Sequence, residues 1–169
     1  MSAVETQLSR VELVGFDVDG VFTDGRFYVD DNGVESKAFH TQDGYGVRQL
    51  LKAGIEVAVI SGRSSAAVQA RMSELGVPHV YVGANDKVAA FEALLRTLNI
   101  SAERSAFVGD DVPDLPVMRT AGLAIAVANA HDDVKKEADW TTARCGGDAA
   151  VREVCDAILI ARTDADSRP

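Results

Sequence analysis

Val11-Glu12-Leu13-Val14-Gly15-Phe16-Asp17-Val18-Asp19-Gly20-Val21-Phe22-Thr23-Asp24-Gly25 is the stretch from which the fold can be read. Its opening half is short and almost wholly apolar, the pattern of a strand covered on both faces in a parallel sheet. Its closing half turns acidic at once. Asp17 and Asp19 stand two apart where regular pairing should end, and Gly20 lets the chain bend sharply. The same event recurs further along: Ser61-Gly62-Arg63 follows the apolar run Glu56 to Ile60, Lys87 follows Val80 to Val82, and Gly109-Asp110-Asp111 follows Ser105 to Val108. A further apolar run lies at Leu123 to Val127.

Between these runs the spacing is helical. Gly44 to Ala53, Ala66 to Leu75, Val88 to Leu98 and Pro116 to Ala121 carry apolar residues on one face, with Gly54, Gly76 and Gly122 as stops. A last helix, Ala149 to Arg162, follows Gly146-Gly147. Strands alternating with helices predict an α/β fold, a doubly wound, Rossmann-like parallel sheet with right-handed crossovers. In such a sheet the carboxyl ends of the strands share one crevice, so the polar clusters converge.

Arg26 to Phe39 breaks the alternation and reads as two strands around Asp30-Asp31-Asn32-Gly33, with Asn-Gly expected to supply the positive φ angles of a tight hairpin. Phe27, Val29, Val34, Ala38 and Phe39 give it apolar surface, and a lone two-stranded hairpin is marginal in water. It is expected to pack, either on its own domain or against another subunit.

A chain of 169 residues with 47% hydrophobic content fits one domain, taken here as residues 1–162 with the inserted hairpin 26–39, and a disordered polar tail over 163–169. The net charge of −9 argues against a basic face for nucleic acid or an anionic membrane. No run is long and apolar enough for a membrane span, and Met1 to Arg10 lacks the regions of a secretory signal, so a cytoplasmic location is expected. Cys145 and Cys155 have no metal-ligand spacing, and Cys155 reads as a packing residue.

The clusters suggest a chemistry. Two carboxylates about 4 Å apart repel by roughly 4 kcal/mol at an effective dielectric near 20, and Asp110, Asp111 and Asp114 add to this if they converge with Asp17 and Asp19. A divalent cation relieves that repulsion, and hard oxygen ligands favour Mg²⁺. One Asp-x-Asp alone is equally a solvated turn. Ser61 and Gly62 suit a phosphate at a strand-to-helix turn, although Ser also caps helices. Lys87 begins a helix, where a cation opposes the macrodipole and so invites a partner. Arg48, Arg63 and Arg71 are the candidate substrate cations, since a guanidinium can grip carboxylate or phosphate with two parallel hydrogen bonds. His40, before Thr41-Gln42-Asp43-Gly44, reads either as a substrate contact or as a solvent-facing residue, whereas His79 and His131 read as structural. Together the clusters fit metal-assisted phosphoryl transfer.

On Asp17 to Gly25, Ser61 to Arg63, Lys87 and Gly109 to Asp114, the chain resembles the haloacid dehalogenase superfamily of phosphohydrolases, whose four motifs stand in this order. More narrowly, from Val11 to Ala161 it resembles the branch acting on 3-deoxy-D-manno-octulosonate 8-phosphate, an intermediate of lipopolysaccharide synthesis; the hairpin, Asp43-Gly44-Tyr45-Gly46, Leu115 to Met118 and Ala150 to Cys155 carry that likeness. The resemblance implies a haloacid dehalogenase fold without a large cap domain. It makes Asp17 the nucleophile and Asp19 the general acid, then base. Mg²⁺ would be held by Asp17, the Asp19 backbone carbonyl and Asp110, with Asp111 and Asp114 behind them, while Ser61 and Lys87 clamp the phosphoryl group. His40, Thr41, Gln42, Asp43, Gly44, Arg48, Gly62, Arg63 and Arg71, with Asp19 and Lys87, would hold the sugar acid. It also implies a homotetramer joined through hairpin 26–39, with a neighbour's tail closing the site. Asp148-Ala149 follows Gly146-Gly147 where the resemblance would place Arg-Gly.

Three alternatives stand beside this reading. The substrate could be a nine-carbon ulosonate 9-phosphate or another sugar phosphate, the chain could be a catalytically silent regulatory subunit, or it could be a phosphate-accepting signalling domain. The last is disfavoured because Ser61 occupies the strand end where such a domain needs its phosphorylated Asp.

Overall fold

The computed structural model describes residues 2–167. In chain order the helices and strands are α1 (Ala3–Leu8), β1 (Leu13–Phe16), β2 (Tyr28–Val29), β3 (Glu35–Ser36), α2 (Thr41–Lys52), β4 (Glu56–Ser61), α3 (Ala66–Leu75), β5 (His79–Val82), α4 (Lys87–Leu98), β6 (Ser105–Gly109), α5 (Leu115–Thr120), β7 (Leu123–Ala126), α6 (Asp132–Glu137), β8 (Trp140–Thr141) and α7 (Ala150–Asp166). Six strands form one parallel sheet in the order β5-β4-β1-β6-β7-β8, and β2 pairs antiparallel with β3 as a separate hairpin.

Every residue of β1 is buried because the strand has a neighbour on each side: Phe16 lies opposite Val59 of β4 and Val108 of β6. Gly15 is small for a reason. A Cβ there would lie 2.7 Å from the Phe107 ring, which meets Phe91 edge-on at 5.5 Å between centroids. Helices cover the sheet, with α2 packed along α7 and α4 against α5. No helix among the described residues is long and apolar enough to cross a membrane.

The structure departs from the sequence reading in four places. Helix α2 starts at Thr41 rather than Gly44 and carries two glycines inside it. A Cβ at Gly44 would lie 2.6 Å from Arg71 Nη2, and one at Gly46 would lie 3.0 Å from Cys155 Cβ, so these glycines let α2 approach α3 and α7. In the hairpin turn Gly33 alone takes a positive φ, 76°, and Asn32 does not. The Asp30 carboxylate closes the turn by accepting from the backbone N–H groups of Asn32 and Val34, at 2.9 and 2.8 Å. Thr163 to Asp166 continue α7, where a disordered tail was expected; Arg168 and Pro169 lie outside the described residues. Finally α1, α6 and β8 are additional. Helix α6 is too polar for an apolar period and is held by the His131 cap and the Lys136–Asp133 ion pair.

Candidate active site

The strand order explains the convergence. β1 lies between β4 and β6, and the chain runs outward from it on either side, so the ends of all three strands open into one crevice at the switch point. Asp17 follows β1, Ser61 ends β4, Asp110 follows β6, and Lys87 begins α4 after the edge strand β5. Asp17, Asp19, Gly25, Ser61, Gly62, Arg63, Lys87, Asp110, Asp111, Pro113 and Asp114 line one cleft of about 330 Å³. Gly62, Lys87 and Pro113 also border an adjoining groove of similar size that runs past Asn85 and Pro116.

Lys87 is the electrostatic centre of the cleft. Its ammonium group donates to Asp17 Oδ1 at 2.6 Å and to Asp114 Oδ1 at 2.7 Å. Burial works against that charge, but Asp17 and Asp114 outweigh it and hold the Lys87 pKa above its ordinary value. Asp114 is fully engaged, since its other oxygen accepts from the backbone N–H groups of Asp110 (3.0 Å) and Asp111 (3.4 Å). Asp111 caps the turn that follows by accepting from Val112 N at 2.8 Å. Ser61 is buried, and its hydroxyl oxygen accepts from Arg63 N at 3.3 Å.

The acids remain undercompensated. Burial, then repulsion from Asp114, pushes Asp17 up to about 6 even with Lys87 opposing. Burial, then repulsion from Asp17, Asp114 and Asp111, pushes Asp110 up to about 8. One oxygen each from Asp17, Asp110 and Asp114 lie within 4.8 Å of one another. The Asp110 carboxylate accepts no hydrogen bond among the described residues, and Gly20, at φ 89°, makes room for it, since a Cβ there would lie 1.9 Å from Asp110 Oδ2. An all-oxygen set with one unpartnered carboxylate fits a hard divalent cation. Asp114 belongs to this cluster in space, and its oxygens already accept from Lys87 and from the backbone N–H groups of Asp110 and Asp111.

Asp19 lines the same cleft and is tied towards the hairpin. Its carboxylate meets the Lys37 ammonium through Oδ1 and lies 3.7 Å from Arg63 Nε through Oδ2. Lys37 and Glu35 were not among the residues singled out. No local pattern marks them, because Lys37 follows β3 and reaches Asp19 only through the way the hairpin folds back over the loop after β1.

Several expected substrate residues are not brought to the cleft within one chain. His40 caps α2, its Nδ1 accepting from Gln42 N at 3.2 Å, while Thr41 and Gln42 are exposed. Asp43 is buried against α7 and accepts from Arg152 N at 2.8 Å, with its second oxygen unpartnered; burial pushes it up to about 6. Gly44 sits over Arg71, which pairs with Glu74 at 2.8 Å, and Arg48 donates to the Glu74 carbonyl at 3.0 Å. For the residues of α2 the reason is shared, since the helix packs along α7 and against α3; Arg71 lies on α3 itself. Another contributor was missed. Gly146-Gly147 is wedged against the loop after β1, where a Cβ at Gly146 would lie 1.6 Å from the Gly20 carbonyl oxygen and Gly147 donates to the Val21 carbonyl at 3.1 Å.

Residues 83–152 match the model of a family described as haloacid dehalogenase-like hydrolase. Over 163 residues, 96% of this chain and 87% of the relative, the sequence is 47% identical to 3-deoxy-D-manno-octulosonate 8-phosphate phosphatase of Salmonella typhi. The chain belongs to the haloacid dehalogenase-like hydrolases. Among solved structures, this hydrolase superposes on the 3-deoxy-D-manno-octulosonate 8-phosphate phosphatase of Yersinia pestis with a TM-score of 0.95 at 42% identity, covering 98% of this chain and 90% of the other. The corresponding enzyme of Moraxella catarrhalis, solved with magnesium ion, phosphate ion and a KDO molecule, gives 0.94 at 40% identity over 99% and 96%. The haloacid dehalogenase-like fold expected from the four motifs is the fold observed.

Proposed function

We propose that this hydrolase is a Mg²⁺-dependent phosphatase that converts 3-deoxy-D-manno-octulosonate 8-phosphate to the free sugar acid and inorganic phosphate, a step in making lipopolysaccharide precursors. The observation that carries the reading is the convergence of Asp17, Ser61, Lys87 and Asp110 in one cleft of a chain whose relatives bear that activity.

Asp17 is the nucleophile. Its carboxylate oxygen bonds to phosphorus as the bond to the sugar oxygen breaks, giving an aspartyl phosphate that divides one hard displacement into two steps. Asp19 gives a proton to the departing sugar oxygen, then takes one from the water that releases phosphate. Lys87 and the Ser61 hydroxyl hold the phosphoryl oxygens in line, and Lys87 also keeps Asp17 fixed through a bond already present. Asp17, Asp110 and the Asp19 backbone carbonyl would hold Mg²⁺, which when bound supplies positive charge against the phosphate oxygens. Asp111 and Asp114 position the loop that carries Asp110. Arg63 is the cation at the cleft for the rest of the substrate.

The hairpin surface supports a homotetramer. Phe27, Tyr28, Val29 and Val34 are exposed on residues 26–39, and burying them between copies would remove that apolar area from water. In such an assembly His40, Thr41, Gln42, Arg48 and Arg71 act on a sugar acid held at a subunit boundary, while Asp43 and Gly44, buried inside the chain, support that segment from behind. The reading extends to one catalytic domain that takes in the whole of α7 and to a cytoplasmic location.

Phosphate release from the eight-carbon substrate, run beside nine-carbon ulosonate 9-phosphates and hexose phosphates, tests the proposal. Preferred turnover of the eight-carbon ester, lost in EDTA and in Asp17→Asn, supports it. Preference for another ester removes the assigned substrate, and absence of turnover by folded protein with Mg²⁺ removes the enzyme reading.

A further inference from the structure

The cluster around Asp19 is built from parts that the motifs do not include. The Lys37 side chain is fully buried, and a buried lysine needs paired charge. Its ammonium meets Asp19 Oδ1 and lies 3.4 Å from Glu35 Oε1. Glu35 Oε2 accepts from Arg63 Nη2 at 2.6 Å, and Arg63 Nε returns to Asp19 Oδ2 at 3.7 Å. Two carboxylates and two cations thus close a ring contributed by the loop after β1, by β3 and the residues after it, and by the turn after β4. Phe27 forms one wall of the ring, with its centroid 4.2 Å from the Arg63 guanidinium carbon and 6.0 Å from Lys37 Nζ. A tie that merely anchored the hairpin would not need to end on the Asp19 carboxylate.

We propose that Lys37 is a positioning residue for phosphoryl transfer: it holds the Asp19 carboxyl group at the departing oxygen. The inference rests on the reading of Asp19 as proton donor. In that step the Asp17 carboxylate oxygen forms the bond to phosphorus. The bond from phosphorus to the sugar oxygen breaks with its electron pair going to that oxygen, and the Asp19 proton moves there. Negative charge therefore grows on Asp19 as the proton leaves, directly between Lys37 and Arg63, where oriented cations need not reorganise. Glu35 keeps both cations in place. The hairpin, which carries none of the four motifs, thereby sets the geometry of the acid.

The test separates leaving groups. A sugar alkoxide needs a proton to depart, whereas the p-nitrophenolate of p-nitrophenyl phosphate does not. Lys37→Met is expected to lower the single-turnover rate of sugar release by about 10²-fold, the scale of a misplaced catalytic group, with KM little changed. The pre-steady-state burst rate of p-nitrophenolate, which precedes the hydrolysis in which Asp19 acts as base, should fall less than about threefold on the same scale, and it also reports that the variant is folded. Lys37→Arg, which keeps a buried cation, is expected to restore most of the alkyl activity. Equal losses in the leaving-group release step on both esters, a change confined to KM, or faster release without Lys37 overturns the proposal. If Lys37→Met does not fold, Glu35→Gln carries the test: a lower alkyl-to-aryl ratio supports the proposal and an unchanged ratio in folded protein overturns it. Asp19→Asn is the control for the underlying reading. If that variant slows release of the sugar and of p-nitrophenolate equally in a single turnover, before the aspartyl phosphate is hydrolysed, Asp19 is not the proton donor, and the failure belongs to the mechanism rather than to Lys37.

Discussion

Asp43 offers a prediction that can be worked through from the structure. The N-cap of α7 is Ala149, in the left-handed region at φ 66° and with no side chain able to cap, so the N–H of Arg152 is satisfied from outside by Asp43 Oδ1. The carboxyl group is buried for this purpose, its second oxygen accepts nothing, and its pKa rises from 3.8 to about 6. A raised acid pKa means that the native state binds the proton more tightly than the unfolded chain, so stability falls as pH rises between the two values. Across the whole window that amounts to about 3 kcal/mol, of which roughly 1.4 kcal/mol lies between pH 5 and pH 8. Asp43→Asn retains an oxygen for Arg152 N–H and removes the titration. The buried amide N–H₂ adds a penalty of its own, about 1–3 kcal/mol if unpartnered, but that penalty does not vary with pH. The informative quantity is therefore the slope. Urea unfolding of wild type and variant at pH 5 and pH 8, without Mg²⁺, should show wild type losing about 1.4 kcal/mol more than the variant over that interval. Asp17 and Asp110 titrate in both proteins and cancel in the difference. Parallel pH dependences would refute the reasoning, because they would mean that Asp43 is not buried as an acid beneath α7.

Other predictions concern the cleft. Mg²⁺ should bind more tightly as pH rises, by about tenfold per unit between pH 6 and pH 8 because Asp110 must give up its proton, and more steeply below pH 6 where Asp17 must as well; calorimetry in buffers of different ionisation enthalpy should register proton release. Gly146→Ala would drive a methyl group into the Gly20 carbonyl, and should cost about 1–3 kcal/mol in a melting experiment and lower kcat by displacing the loop after Asp17. Gly33→Ala meets nothing within 4 Å at φ 76°, so it should cost about 1–2 kcal/mol of backbone strain and leave kcat unchanged. Gly20→Ala adds a clash with Asp110 to a positive φ, and should abolish Mg²⁺ binding measured by calorimetry along with turnover.

The centre of the sheet was legible because β1, β4, β6 and β7 are buried on both faces, and burial writes itself as unbroken apolar runs: β4 is Glu-Val-Ala-Val-Ile-Ser, intermediate at its first residue and buried thereafter. The site residues at strand ends were legible for the same reason, since each polar cluster interrupts such a run. What stayed hidden depends on approach between segments distant in sequence. Nothing local says that glycines can sit inside α2, because the reason is the closeness of Arg71 and Cys155. Nothing local shows that Asp43 caps a helix 109 positions away, or that Lys37 reaches Asp19. The hairpin turn was misjudged in detail because Asn-Gly is also compatible with an Asp side chain closing the loop, and Asp30 decides the matter.

The wedge of Gly146-Gly147 against the Gly20 to Asp24 loop carries a consequence for the life of the molecule. Ribosomes deliver the nucleophile loop early and its brace late, after more than a hundred further residues. Until Gly146 has emerged and docked, Asp17 and its neighbours sit on a floor with one wall absent, and repulsion among the carboxylates works against closing it. Catalytic competence is thus expected to wait for the brace, and prematurely terminated copies that keep all four motifs are expected to release no phosphate from a phosphate ester in a turnover assay.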